Sequence, residues 1–268
     1  MGKSPFRFDL MLAGIFKSLV PDQFKRKLRK FVWMRLNPSW TLRSGIIIRV
    51  LNYNDWMIYN DIFVDGEYDG AIDRLLRGSA DPARPARVLD LGGNVGFFTF
   101  RLADTFLRSG QKNFNLIMVE GSPSTCAELR ERLKWNENLL ANRVSVVNGL
   151  VGDRTGVGQI AEGEFHGENT LFSSASNTKS VPFVDLDNLV KTWDRIDLLK
   201  CDIEGAEEMF LRNYSDLLRK TGCAVFEFHH DKCDIPLCHR LLAEAGLANA
   251  VTIREFGRCS VEFFSREV

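Results

Sequence analysis

The stretch VLDLGGNVGFFTF, residues 88–100, decides the fold. An apolar run ends at Asp90, Gly92, Gly93 and Gly96 turn the chain, and an apolar segment with helical spacing follows. Glycine lets a backbone turn tightly and approach a ligand closely, and the start of the following helix offers unpaired N–H groups. Strand, glycine turn and helix in that order open a Rossmann-like nucleotide site.

Working outward, the same unit repeats. Arg87 to Leu91 leads to a helix over Val95 to Leu107, Leu116 to Glu120 to one over Ser122 to Asn138, and Val144 to Asn148 reads as a third strand. Ile196 to Cys201 precedes a helix over Gly205 to Leu218, and Ala224 to His229 one over Pro236 to Ala245. Alternating strands and helices predict a mostly parallel sheet covered on both faces. The last strands, Ala250 to Arg254 and Ser260 to Phe264, have no helix between them and predict an antiparallel edge. Gly152 to Ser180 lacks periodicity and reads as a hairpin or loop beside the site. Upstream, Gly45 to Leu51 and Trp56 to Val64 read as strands and Tyr68 to Leu76 as a short helix, with Ser79 to Pro85 as a linker.

The glycine turn alone is shared by dinucleotide binders and methyltransferases, and the acid two positions before its first glycine discriminates between them. A pyrophosphate would be repelled by Asp90, whereas S-adenosylmethionine presents an ammonium and a sulfonium. A nicotinamide-dependent oxidoreductase is further disfavoured because no full G-x-G-x-x-G follows the strand. Glu120, at the end of the second strand, is placed to accept ribose hydroxyls; its plainer reading is a helix N-terminal acid ahead of Ser122 and Pro123. In LLKCDIEGAE, residues 198–207, Lys200, Asp202 and Glu204 leave the carboxyl end of a buried strand, where ligands bind in open α/β sheets. Glu204 and Glu207 also fit as first-turn helix acids. The strand AVFEFHH, residues 224–230, brings Glu227 and His229 to one face and His230 to the other. His229 or Asp202 is the expected acceptor of a substrate proton, with Glu204 orienting it, although His229 also fits as a hydrogen-bonded structural residue.

These motifs together are similar to those of the FkbM family of S-adenosylmethionine-dependent methyltransferases. The resemblance rests on DLGGNVG, the step from Glu120 to Pro123, Asn136 and Asn138 ahead of VSVVNGLVGD, then VPFVDLDNL, KCDIEGAE and EFHH, in consistent order from Ile62 to His230. It implies a seven-stranded class I methyltransferase sheet, and O-methylation of a sugar, glycan, lipid or other natural-product hydroxyl. Carried over by position, Asp90, Gly92, Gly93, Asn94, Gly96 and Glu120 would hold the cofactor, with Asn148, Gly149 and Leu150 near the adenine. Asp202, Glu204 and His229 would face the acceptor. Gly93 stands where alanine is common in the family, and Arg108 to Asn115 lengthens the path from Asp90 to Glu120. A divalent ion on Asp202 and Glu204, with or without Glu227, acting as a Lewis acid, is an alternative that is not favoured.

Composition sets the remaining bounds. The 268 residues are 45% hydrophobic, with 35 basic and 35 acidic side chains. That balance argues against nucleic acid as a partner, which needs a basic surface. Residues 1–43 hold ten Lys or Arg against Asp9 and Asp22, about +8 against −8 for the remainder. They read as a basic amphipathic helical extension, either a solvated face or a dock for a membrane surface or acidic partner. Residues 44–86 read as a cap on the substrate side and 87–268 as the methyltransferase domain. No run approaches the ~20 apolar residues of a membrane span, so a cytoplasmic protein is expected. The six cysteines form no C-x-x-C pair, and Cys233, Cys238 and His239 match no common zinc spacing. The rival function is a non-catalytic module of the same fold that recruits a partner through its basic helix.

Overall fold

The computed structural model describes residues 38–78, 84–161 and 178–266. Most of the basic extension, most of the linker and much of the Gly152 to Ser180 segment lie outside the described residues.

Seven strands form the central sheet: β3 (Ala86–Leu91), β4 (Phe114–Glu120), β5 (Val144–Asn148), β8 (Ile196–Cys201), β9 (Thr221–His229), β10 (Asn249–Phe256) and β11 (Cys259–Ser265). Their order is β10-β11-β9-β8-β3-β4-β5. The chain thus runs outward from β3 to β5, returns to the other side of β3 at β8, and ends on an antiparallel β9-β11-β10 edge. This is the expected class I methyltransferase fold. The reversal between β3 and β8 is the switch point at which open α/β sheets leave a crevice at the carboxyl ends of their strands.

Strand alternation fills both sides of the sheet. Val88, Leu198 and Val225 face one core while Leu89, Leu199, Ala224 and Phe226 face the other. The first core also takes Ile46, Ile48, Ile62, Tyr68 and Ile72, so residues 44–78 pack directly on the sheet domain. Helices α3 (Phe97–Arg108), α4 (Pro123–Lys134), α7 (Glu207–Asn213), α8 (Ser215–Arg219) and α9 (Ile235–Glu244) follow the strands as expected, with the single turns α5 (Glu137–Leu140) and α6 (Leu186–Leu189) between them, though Tyr214 breaks the predicted Gly205 to Leu218 helix into two. Ser122 caps α4 by accepting from Thr125 N–H, and Pro123 occupies its first turn. The predicted hairpin is present as β6 (Val157–Ala161) paired antiparallel with β7 (Thr178–Pro182).

The N-terminal part departs from the sequence reading. β1 (Ser39–Thr41), assigned above to the helical extension, pairs with β2 (Ile47–Arg49), the only part of Gly45 to Leu51 in a ladder among the described residues. Trp56 to Val64, expected as a strand, is helical: α1 (Tyr53–Tyr59) continues into a π-helical turn over Asn60–Val64. Asn52 caps α1 by accepting from Asp55 N–H. Helical spacing then stacks Trp56 on Tyr59 and Tyr59 on Phe63, at centroid distances of 5.8 and 5.0 Å. Aromatic residues favour strands only where a pleated partner exists; here cap and stacking decide.

A buried arginine ties this segment to the sheet domain. Arg132 on α4 donates to Asp55 Oδ2 at 2.5 Å and to the Arg49 carbonyl at 2.6 Å, and pairs with Glu128. Asn136 completes the seam, accepting from Ile47 N–H at 2.7 Å and donating to its carbonyl at 3.0 Å as a neighbouring strand would. Removing one partner of a buried pair leaves an uncompensated charge, at about 3–5 kcal/mol, whereas an exposed pair contributes under about 1 kcal/mol. Arg132→Met is therefore expected to lower the unfolding free energy in urea by about 3–5 kcal/mol. Lys134→Ala, which breaks the exposed pair with Glu131 on the same helix, should change it by less than about 1 kcal/mol.

Candidate active site

A cleft opens at the switch point. Gly92, Asn94, Glu120, Gly121, Gly149, Leu150, Ile160, Asp202 and Glu204 line it, with Val119, Val151 and Ile203 between them. Gly92 cannot carry a side chain: its φ is +76°, and a Cβ would sit 1.6 Å from the Asp202 carbonyl oxygen. Asn94 turns with φ +46°, a conformation asparagine tolerates better than most residues. Its N–H donates to Glu120 Oε2 at 2.8 Å while Ser122 N–H donates to Oε1 at 2.8 Å, which fixes the carboxylate at the cleft wall.

Several expected cofactor residues lie behind this wall. Asp90 is buried, accepts from Thr99 Oγ1 at 2.9 Å, and faces the Lys200 ammonium at 3.5 Å. Gly93 and Gly96 do not line the cleft; they leave room for Met118 and Leu129. Asn148 donates to the carbonyls of Glu120 and Gly121 at 2.8 and 3.1 Å, stapling β5 to the loop after β4. Gly149 and Leu150 line the cleft as expected, whereas Gly121 and Ile160 were not singled out in the sequence. Lys200 Nζ donates to the Gly92 carbonyl at 2.8 Å and lies 3.4 Å from Asp202 Oδ2. Burial opposes its charge, but Asp202 and Asp90 hold it above the usual lysine range.

Next to the cleft, a chain of carboxylates surrounds one histidine. His229 Nδ1 lies 3.3 Å from Glu207 Oε1 and Nε2 lies 3.2 Å from Glu204 Oε2. Glu207 is fully buried and also accepts from the Ile203 and Gly205 N–H groups and from Cys233 Sγ. Burial works against its charge, yet His229 and the Gly205 N–H hold its carboxyl below the ordinary range. For Glu204 burial outweighs the attraction of His229 and pushes the carboxyl up. Burial also opposes charge on His229, but the bonds to Glu204 and Glu207 carry it up to about 11. Both ring nitrogens of His229 thus face carboxylates. Glu227, within reach of His229 and Cys259, is pushed by burial and then by Asp202 up to about 9. Glu204 has φ +56°, strain that sequence does not reveal and that collects at functional sites.

Asp202, Glu204 and His229 bring potential metal-ligand atoms within 4.8 Å of one another, as do Glu227, His229 and Cys259. Both triads share His229, whose two nitrogens already face carboxylates. Of the residues expected to hold an ion, Asp202 and Glu204 come together with His229, while Glu227 gathers with His229 and Cys259. No described helix is long and apolar enough to cross a membrane.

Among known proteins, the profile of the methyltransferase FkbM domain matches residues 90–246. The structure of a methyltransferase FkbM from Methylobacillus flagellatus KT is 15% identical, with a TM-score of 0.50 over 68% of this chain and 43% of that one. Magnesium protoporphyrin IX methyltransferase from Synechocystis PCC 6803, solved with bound SAM, is 13% identical, with a TM-score of 0.45 over 99% of this chain and 100% of that one. At such identity the first likeness concerns the fold alone, and this chain spans less than half the length of the Methylobacillus protein. None of the curated proteins matches the sequence. With its glycine turn and carboxylate-lined cleft inside a match that covers more than half of its length, the chain belongs to the FkbM family of S-adenosylmethionine-dependent methyltransferases.

Proposed function

We propose that the protein transfers a methyl group from S-adenosylmethionine to a hydroxyl of a neutral, polyhydroxylated acceptor, a sugar, glycan or related small molecule. The observation that carries this reading is the charge of the cleft: its described lining has three carboxylates, Glu120, Asp202 and Glu204, and no cationic side chain. Such a site attracts a sulfonium and an ammonium and opposes a pyrophosphate. Carboxylates also accept the hydrogen bonds that sugar hydroxyls donate, and they disfavour an anionic acceptor.

In this reading Glu120 receives the ribose hydroxyls, Gly92 and Asn94 admit the ligand against backbone, and Gly149 and Leu150 flank the base. Asp90 acts from beneath, holding Lys200 and through it the Gly92 carbonyl. Bound S-adenosylmethionine supplies an electrophilic methyl group on a positively charged sulfur. The chain has to align the acceptor oxygen with that carbon and remove its proton. Asp202 receives the proton, because it lines the cleft while both nitrogens of His229 are committed to carboxylates. Glu207 and His229 position Glu204 at the cleft wall. The scheme needs no metal ion, because Asp202 can take the proton without one.

Three results are expected. Calorimetry should show S-adenosylhomocysteine binding to the wild type and a loss of about ten- to a hundred-fold in affinity for Glu120→Ala, the size of a lost charge-assisted hydrogen bond; a folded wild type that does not bind ends the methyltransferase reading. With an acceptor found by screening polyols, Asp202→Asn should lower kcat by about 10²–10⁴ with S-adenosylhomocysteine still bound, and chelation should leave wild-type turnover unchanged. Binding without turnover on any hydroxyl acceptor would favour the recruitment module. Third, the folded state raises the His229 pKa from 6.5 to about 11. Its stabilisation is then complete below pH 6.5 and is lost as pH rises toward 11. The stability difference between wild type and His229→Gln, measured by urea unfolding, should shrink across that window; a constant difference would remove the imidazolium.

A further inference from the structure

A second cavity lies at the opposite end of the sheet, where β8 and β9 begin. It encloses about 370 Å³ and is walled by Arg74, Leu75, Arg195, Ile196, Lys220, Gly222 and Arg266, with Cys223 and Asp197 at its floor. Its cations come from four separate parts of the chain. Arg74 lies on α2 (Asp69–Gly78), Arg195 precedes β8, Lys220 joins α8 to β9, and Arg266 follows β11. Four cations against one acid is the inverse of the catalytic cleft.

The single acid is already committed. Asp197 accepts from Arg87 N–H at 2.8 Å and pairs with Arg195. The cations keep donors in reserve. Arg195 Nε is buried and has no hydrogen-bond partner, a costly state for a guanidinium nitrogen. Among the described residues neither Arg74 nor Lys220 has a carboxylate within ion-pair distance; Arg74 only rests 5.8 Å above the Phe263 ring. Arg266 is held by the carbonyls of Thr221 at 2.9 Å and Leu218 at 3.3 Å, which anchors its charge at the wall. Like charges gathered without a counter-charge repel one another, and an anion of more than one charge relieves that repulsion while giving the guanidinium groups their acceptors.

From this geometry we propose that the cavity is a binding site for a phosphate or diphosphate group on a soluble small molecule, separate from the methyl-transfer cleft. Its volume falls in the range of small-ligand pockets, roughly 300–1,000 Å³. Leu75, Ile196 and Cys223 give it an apolar wall for the body of such a ligand. Arginine suits this task because its planar fork meets phosphate oxygens in pairs.

The test is calorimetric titration of the full chain with inorganic pyrophosphate, beside a flotation assay with vesicles containing phosphatidic acid. Saturable pyrophosphate binding is expected, weakening as ionic strength rises. Lys220→Glu and Arg74→Glu should each lower the affinity at least about tenfold, because each replaces attraction by repulsion. Both side chains are far from the catalytic cleft, so the melting temperature and the affinity for S-adenosylhomocysteine should stay as in the wild type. Absent pyrophosphate binding, equal binding by wild type and both variants, or binding to vesicles alone would overturn the proposal.

Discussion

One buried ammonium holds the switch point together. Lys200 stands at the end of β8 and reaches across to the Gly92 carbonyl at 2.8 Å, with Asp90 and Asp202 on either side at 3.5 and 3.4 Å. A charged lysine in a protein interior is tolerable only with partners of opposite charge, and two carboxylates supply them. The arrangement joins the end of β3 to the end of β8 at the point where the chain reverses direction across the sheet. Beside it the Asp202 N–H donates to the Leu91 carbonyl at 3.0 Å, and this backbone contact leaves Gly92 no alternative. With the Asp202 carbonyl drawn so close to the turn, a Cβ at position 92 would lie 1.6 Å from it.

From that point the two ends of the sheet diverge in charge. At the carboxyl ends, strands deliver Glu120, Asp202 and Glu204 to the cleft, and the cations nearby are neutralised in ion pairs behind or beside it. At the amino ends, Arg74, Arg195, Lys220 and Arg266 gather around a single acid. The chain is neutral as a whole, so net charge says nothing about either site. What matters for a ligand is the local field in a concave, partly desolvated pocket, where screening by water is weakest.

The fold could be read from the sequence because the repeated strand, turn and helix signals are local. Ser122 and Pro123 announce α4, and the glycines of residues 92–96 announce the turn before α3. The reading failed at Trp56 to Val64, where aromatic content suggested a strand. Whether those rings meet a pleated neighbour or stack on one another along a helix is a tertiary question, and Trp40 on the adjoining hairpin, 5.0 Å from Tyr59, helps to settle it for the helix. In the site, Glu120 and Asp202 could be located from their strand ends alone. The positive φ of Glu204 and the bond from Glu207 to His229 could not, since one is a backbone strain and the other joins residues 22 positions apart.

Asp90 shows how an argument about charge survives a change in the residue's role. Its position before the glycine turn suggested direct attraction of a cationic cofactor, but the structure buries it and pairs it with Lys200. Had Asp90 been absent, the Lys200 ammonium would lie at the turn with less compensation, and the turn would favour an anion. Neutralising that one cation leaves the field of the cleft to Glu120, Asp202 and Glu204. The acid before the glycines thus bears on the charge of the cleft without lining it.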